Sequence, residues 1–306
     1  MNKKTLKDID LAGKKVIMRV DFNVPNKDGE ILDDTRIQAA LPSIKYILDQ
    51  GSSLILMSHL GRPKGKKSEE FSLKPVAAYL GKLLGQEVTM APDTFGPEVE
   101  ALASDLQAGD IMMLENTRFY AEEEGKAKTD GMSEEEARAA KEEIKNKQRI
   151  MAQNLASLAE VYVNDAFGTA HRAHASTAVI ADYVDSAVAG FLMEKEIEYL
   201  TKAVSSPEHP YVAIIGGAKV SGKLEVLENL INKVDTLIIG GGMAYTFFKA
   251  QGKKIGNSIC EDDLLDTATS ILAKAREKGV KFLLPVDNKI ADGFSAEANT
   301  QTVEGD

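Results

Sequence analysis

The sequence has no tryptophan, a single cysteine and no long apolar run, and each shortage removes a class of protein. Cys260, alone, can form no internal disulfide, so a disulfide-stapled secreted scaffold is excluded. The start, Met1-Asn2-Lys3-Lys4-Thr5-Leu6-Lys7-Asp8, is polar where a signal peptide carries its apolar stretch, and a reducing, cytoplasmic compartment is expected. Apolar runs such as Ser53 to Met57 and Tyr211 to Ile215 are a few residues long, whereas a spanning helix takes about 20, so no membrane partner is expected. Basic residues are outnumbered 37 to 47, giving a net charge of -10, which argues against a nucleic-acid partner met by a basic face. An anionic small molecule stays open if basic residues are focused in one cleft against the global sign. Nothing in the sequence resembles an oligomer interface, and a monomer is expected.

With 6% aromatics, the core must be built from Val, Ile, Leu, Ala and Met. The 306 residues suffice for two domains, each with its own core. Short β-branched runs alternate with stretches of helical period, the signature of βα units and a parallel sheet, hence an α/β fold. Strands are predicted at Lys15 to Phe22, Ser53 to His59, Val88 to Ala91, Asp110 to Leu114 and Val161 to Asp165. They are nearly continuous in apolar residues, as strands covered on both faces are. Helices are predicted at Thr35 to Gln50, Leu73 to Leu84 and Gln148 to Glu160. The pattern restarts with strands at Tyr211 to Ile215, Thr236 to Ile239 and Lys281 to Val286, with helices at Gly222 to Lys233 and Asp263 to Lys278 between them.

The domains expected are residues 1–185, then an interdomain helix over 186–204, then residues 205–306. The helix-forming stretch from about Gly190 to Val204 is closed off by Ser205-Ser206-Pro207 and suits a hinge. Between Glu122 and Arg149, 9 acidic and 7 basic residues intermingle, and mixed signs read as a solvated loop and surface helix without chemistry.

Polar residues cluster where the first-domain strands end. Arg19 to Pro25, Ser58 to Pro63, Glu115 to Phe119 and Asn164 to His174 are the four segments. In an open parallel sheet these ends border one crevice, so Arg62, Arg118 and Arg172 should converge there with His59, and Arg36 can join from the first helix. Guanidinium forks match carboxylate and phosphate oxygens, so such a ring reads as a clamp for a small, multiply charged anion. Any one of these arginines alone is more often a surface ion pair. His59, His171 and His174 invite a metal-site reading, but their spacing matches no zinc pattern and fits anion binding or packing as well.

In the second domain, Tyr211-Val212-Ala213-Ile214-Ile215-Gly216-Gly217-Ala218-Lys219-Val220-Ser221-Gly222-Lys223-Leu224 is a strand entering a glycine turn and a helix. Glycines let phosphate approach the backbone, and a helix start offers free amides. Gly217 to Lys223 satisfies G-x-x-x-x-G-K, but Leu224 stands where a P-loop needs Ser or Thr for magnesium, so that reading fails at the metal. The plainer alternative is a tight strand-to-helix turn. A second turn, Gly240-Gly241-Gly242, favours a phosphate or nucleotide site.

Taken in order and spacing, Arg19 to Pro25, Ser58 to Pro63, Leu114 to Phe119, Val161 to His174, Gly190 to Glu196, Gly216 to Val220 and Ile238 to Met243 resemble phosphoglycerate kinase over essentially the whole chain. The resemblance implies two Rossmann-like domains with parallel sheets joined by a hinge helix. It also implies reversible phosphoryl transfer from 1,3-bisphosphoglycerate to ADP, giving 3-phosphoglycerate and ATP, with Mg2+. It assigns Asp21, Asn23, Arg36, His59, Arg62, Arg118 and Arg172 to the 3-phosphoglycerate site. It makes Lys219 the lysine that follows the transferred group and Lys223 a holder of nucleotide phosphates. Gly217, Gly241 and Gly242 become nucleotide contacts, and Ile259 and Phe294 line the adenine pocket. Arg36 and Lys219 are the catalytic pair.

The family continues with a Trp-Asn-Gly-Pro segment, a ribose-binding glutamate and a Gly-Gly-Gly-Asp segment whose aspartate holds magnesium, none of which occurs before Asp306. The resemblance therefore implies an incomplete second domain, no metal ligand within these residues, and a chain that binds the acid but transfers little phosphoryl. Two rival readings are another nucleotide-dependent kinase on a similar fold and a chain that only binds ligands or partners.

Overall fold

The computed structural model describes residues 3–205, 207–293 and 295–304. The chain forms two compact units, Met1–Tyr199 and Leu200–Asp306.

In the first unit, strand β1 (Lys15–Arg19) leads through a small hairpin, β2 (Asn26–Lys27) and β3 (Glu30–Ile31), into helix α1 (Thr35–Asp49). Then follow β4 (Ser53–Met57), α2 (Lys74–Leu84), β5 (Thr89–Met90), α3 (Pro97–Asp105), β6 (Ile111–Met113), the short α4 (Ala121–Glu124), α5 (Glu134–Ala156), β7 (Val161–Asn164) and β8 (Ser186–Ala189). Six of the strands make one parallel sheet in the order β5-β6-β4-β1-β7-β8, with Lys15 opposite Ser53 and Val16 opposite Val161.

Alternation along these strands explains why they are apolar throughout. Val16, Met18, Leu54, Leu56 and Val163 pack on one face with Ile37 and Ile44 of α1 and Val76 and Leu80 of α2. Ile17, Ile55, Met57, Met112 and Tyr162 pack on the other with Val99 of α3 and Met151 and Leu155 of α5. With helices on both faces, the central strands β4 and β6 have no solvent side on which polarity is free, as the sequence pattern implied.

The strands end sooner than the apolar runs. β1 stops at Arg19 and β4 at Met57, because the residues that follow turn out of the sheet to form the crevice. The charged stretch corrects an expectation. Helix α5 begins at Glu134, not Gln148, because Ser133 and Glu136 form a capping box and Lys147 pairs with Glu143 at i,i+4 spacing. Nor is this stretch solvated throughout, for Glu123 and Gln148 are both buried. Gln148 uses its side-chain amide to donate to the Glu123 and Ala173 carbonyls, tying α5 to the loop after β7.

The stretch 186–204 is not all helix. Its first residues form the sheet-edge strand β8, and helix α6 runs Phe191–Ser205. The helix starts on buried first-unit groups: Phe191 N–H donates to Ser43 Oγ (2.9 Å) and Met193 N–H to Asp165 Oδ1 (3.0 Å). Gly190 precedes it where a Cβ would lie 2.3 Å from the Asp165 carboxyl carbon, so only glycine fits.

The second unit carries β9 (Val212–Gly216), α7 (Leu224–Leu230), β10 (Thr236–Gly240), α8 (Met243–Ala250), α9 (Leu265–Glu277) and β11 (Lys281–Leu283), then a hairpin of β12 (Asp287–Ala291) and β13 (Thr300–Glu304). Its parallel sheet has the order β11-β10-β9. Leu227, Leu237, Ile239, Phe247 and Ile271 centre its core. The helix expected over Gly222 to Lys233 is shorter, since Ser221–Lys223 forms a 3-10 turn first.

Candidate active site

Parallel strands all present their carboxyl ends on one edge of the first sheet, and the loops leaving that edge build a cavity of about 270 Å³. Asp21 and Asn23 follow β1, His59 and Arg62 follow β4, Arg118 follows β6, Arg172 follows β7, and Arg36 sits in the first turn of α1. All seven residues expected in the acid site line this one cavity, together with Gly61, Gly168 and Thr169.

Local chemistry sets each side chain. Asp21 accepts from Arg36 Nη1 at 2.8 Å and from the Asn23 N–H at 3.3 Å, and Asn23 Oδ1 accepts from the Gly61 N–H at 2.8 Å. Arg118 donates through Nη1 to the Gly61 carbonyl at 3.0 Å. Its backbone is fixed by Asn116, whose Oδ1 accepts from the Arg118 N–H (3.0 Å) while its Nδ2 donates to the Leu60 and Phe71 carbonyls. Gly61 is left-handed at φ +61 and faces the Phe71 ring, so a side chain there would be both strained and blocked. Arg36 and Arg62 are exposed and Arg172 is half-buried, so an anion can reach their heads, that of Arg36 already paired with Asp21.

Beneath the cavity lies a buried polar chain that the sequence did not announce. Arg19 is fully buried. It donates through Nε to Ser176 Oγ (2.8 Å), through Nη1 to the Val20 carbonyl, and through Nη2 towards His59 Nδ1 (3.1 Å). Ser176 in turn donates from Oγ to Glu123 Oε1 (2.6 Å), and its N–H donates to Glu123 Oε2 (3.0 Å). Thr117 Oγ1 adds a third donor to Glu123, and His174 Nδ1 stands 3.7 Å from the same carboxylate. Burial alone would raise the Glu123 carboxyl, but His174, Arg19 and Ser176 together hold it below its ordinary value. Burial, reinforced by Arg19, Arg118, Arg172 and His174, pushes His59 down to about 2, so its ring is neutral.

A second hollow of about 450 Å³ shares Arg62, Arg118 and Arg172 with the first and adds Lys64, Tyr120, Glu124, Lys126 and Lys128. Glu124, Lys126 and Lys128 come from the charged stretch to which the sequence reading assigns no chemistry. Among the described residues no three His, Cys, Asp or Glu side chains gather where a metal could be held, and His59, His171 and His174 form no such cluster.

In the second unit the two glycine turns meet. Gly241 has φ +69, and a Cβ there would come within 2.9 Å of the Gly217 backbone. A Cβ on Gly242 would lie 2.7 Å from Ile259 Cγ2, and one on Gly217 would lie 2.5 Å from Lys223 Nζ. Gly217, Lys223, Gly241, Gly242 and Ile259 therefore adjoin one another, whereas Phe294 lies outside the described residues. Lys219 lies near Glu261, a residue sequence reasoning missed. Glu261 accepts from the Val220 N–H (2.6 Å), the Ser221 N–H (3.0 Å) and Ser221 Oγ (2.7 Å), which braces the turn after Lys219. No motif marks it, since its partners lie about forty residues earlier in the chain.

Comparison with known proteins agrees with this geometry. The family model described as phosphoglycerate kinase matches residues 6–306. A phosphoglycerate kinase of Chloroherpeton thalassium is 55% identical over 301 residues, which cover 98% of this chain and 70% of that relative. Among solved structures, phosphoglycerate kinase from Coxiella burnetii superposes with a TM-score of 0.78 at 40% identity, covering 99% of this chain and 71% of the other. The enzyme from Pyrococcus horikoshii OT3 gives 0.75 at 31% identity, covering 98% and 71%. Strand-end arginines around one cavity, paired glycine turns beside two lysines and similarity along nearly the whole chain have one common explanation: the chain belongs to the phosphoglycerate kinase family, phosphotransferases with a carboxyl group as acceptor.

Proposed function

We propose that the cavity lined by Asp21, Asn23, Arg36, His59, Arg62, Arg118 and Arg172 is where this phosphoglycerate kinase holds 3-phosphoglycerate or 1,3-bisphosphoglycerate. The observation that carries the reading is the convergence of four arginines on one 270 Å³ space in a chain whose net charge is -10. Such local focusing against the global sign is what an anionic substrate requires. Gly217, Gly241 and Gly242, with Lys223 over the first of them, are assigned to the nucleotide phosphates, and Ile259 to the base.

The acceptor in the ATP-consuming direction is a carboxylate with an ordinary pKa near 4, already ionised at neutral pH, so no general base is needed. Catalysis then rests on alignment and charge neutralisation, and Arg36 in the first unit and Lys219 in the second are the residues assigned to the phosphoryl group in transfer. No cluster of His, Cys, Asp or Glu among the described residues fits a metal, so magnesium is assigned to the nucleotide phosphates and no step is drawn through a protein-held ion. The enzyme is assigned as a monomer of the cytoplasm, a reducing compartment that suits a lone cysteine.

Replacing Arg62 with Ala tests the reading. Arg62 lines the cavity, and loss of one charge-assisted contact is worth about 1.5 to 3 kcal/mol. Calorimetry should show 3-phosphoglycerate affinity falling more than tenfold with nucleotide affinity unchanged. An unchanged dissociation constant for the acid removes Arg62 from the site.

A further inference from the structure

We propose that Arg19 is a positioning residue that fixes His59 as the Nε2–H tautomer, so that His59 meets the acid substrate only as a hydrogen-bond donor. The argument starts from what each group can do. A guanidinium has donors and no acceptor and does not lose its proton in a protein, whereas a neutral imidazole has one donor and one acceptor nitrogen. Arg19 Nη2 lies 3.1 Å from His59 Nδ1. That contact is a hydrogen bond only if Nδ1 is the acceptor, and the ring proton must then sit on Nε2.

Arg19 cannot move away to relax this choice. Its Nε is held by Ser176 Oγ and its Nη1 by the Val20 carbonyl, in a site without solvent exposure. Ser176 has already given its hydroxyl proton to Glu123, so it can only accept from Arg19, and the hydrogen bonds run outward from Arg19, one way to His59 and the other through Ser176 to Glu123. The groups facing the His59 ring are cationic or neutral, namely Arg19, Arg118, Arg172 and His174, so nothing there favours a second ring proton. Among the described residues no protein acceptor engages Nε2, and His59 lines the cavity, so that N–H is available to a ligand.

A consequence for recognition follows. The cavity lining includes four donors, Arg62, Arg118, Arg172 and the His59 N–H. An ionised phosphate or carboxylate oxygen, which only accepts, is the ligand atom that suits these four donors. Phosphate monoesters complete their ionisation near pH 6. What His59 offers such an oxygen is thus set by a buried arginine that does not line the cavity itself.

The ligand part of the inference rests on reading the cavity as the acid site, while the tautomer does not. The test is ring-nitrogen NMR of the full chain with 15N-labelled histidine, with His59 assigned by the signals lost in His59→Gln. Between pH 6 and 8, Nδ1 should be unprotonated and Nε2 protonated with no titration step, and added 3-phosphoglycerate should shift the Nε2–H signal. Arg19→Lys, which keeps a donor cation, should retain the tautomer. Arg19→Met should release it to a mixed or titrating ring and weaken 3-phosphoglycerate binding about tenfold or more. A proton on Nδ1, a doubly protonated ring at neutral pH, or an unchanged tautomer in Arg19→Met overturns the proposal. If Arg19→Met does not fold, the wild-type spectrum and Arg19→Lys still decide. A ligand that perturbs the arginine loops but leaves Nε2–H untouched sinks this inference alone, whereas a ligand that perturbs nothing in the first unit sinks the acid-site reading with it.

Discussion

At the scale of single residues, the side chains that define the cavity were legible in the sequence and those that support it were not. Arg62, Arg118 and Arg172 stand just beyond apolar runs, and a parallel sheet forces such positions to one edge. Arg19, in contrast, ends a strand and reads there as one more polar strand-end residue. Its partner Ser176 is 157 residues away and Glu123 is a further 53 from Ser176, separations at which no local pattern reports contact. Glu123 was even misread, because three consecutive glutamates suggest a solvated surface and only the fold turns the middle one inward. The burial of His59 gives a test at this scale. Its ring ordinarily gains a proton below pH 6.5, but in the folded protein only near pH 2. Between those values the unfolded chain binds the extra proton, so stability is full above pH 6.5 and falls as pH drops through that window, by about 1.4 kcal/mol per unit from this group. Urea unfolding followed by circular dichroism should show wild type losing about 1 kcal/mol more than His59→Gln between pH 6 and pH 5. Parallel losses in the two proteins would mean that His59 titrates normally.

At the scale of elements, strand cores were read correctly because both faces of the first sheet are covered, which leaves unbroken apolar runs. Their ends overshot, since residues such as Val20 and Phe22 are buried in loops as deeply as any strand residue. Helix α5 was half missed for the opposite reason: a capping box and the Glu143–Lys147 ion pair support the part before Gln148, which has little apolar period to detect. Helix α8 has no counterpart among the predicted helices, although five of its eight residues are buried. The start of α6 is the element most exposed to a single change. Gly190→Ala would push a methyl to 2.3 Å from the Asp165 carboxyl carbon, and rotating Asp165 away forfeits its bond to the Met193 N–H. Overpacking of this kind costs about 1 to 3 kcal/mol, and losing the acceptor adds to it. The urea midpoint of Gly190→Ala should fall accordingly, and a midpoint equal to wild type would show that the backbone before α6 yields freely.

At the scale of the whole molecule, the restart of the strand-and-helix pattern near Tyr211 revealed a second unit, and the proposed assignments fall separately on the two. Every residue assigned to the acid lies within Met1–Tyr199, and every residue assigned to the nucleotide that falls in the described chain lies within Leu200–Asp306. The central claim is therefore local to the first unit: a cavity of about 270 Å³, ringed by four arginines and braced from below by Arg19, receives the acid. A crystal structure of the chain grown with 3-phosphoglycerate tests it most directly. The account predicts ligand density inside that cavity, with its anionic groups within hydrogen-bond distance of Arg62, Arg118, Arg172 and His59 Nε2. Density for the ligand elsewhere on the chain, or a cavity left empty at a concentration shown by calorimetry to saturate binding, would contradict it.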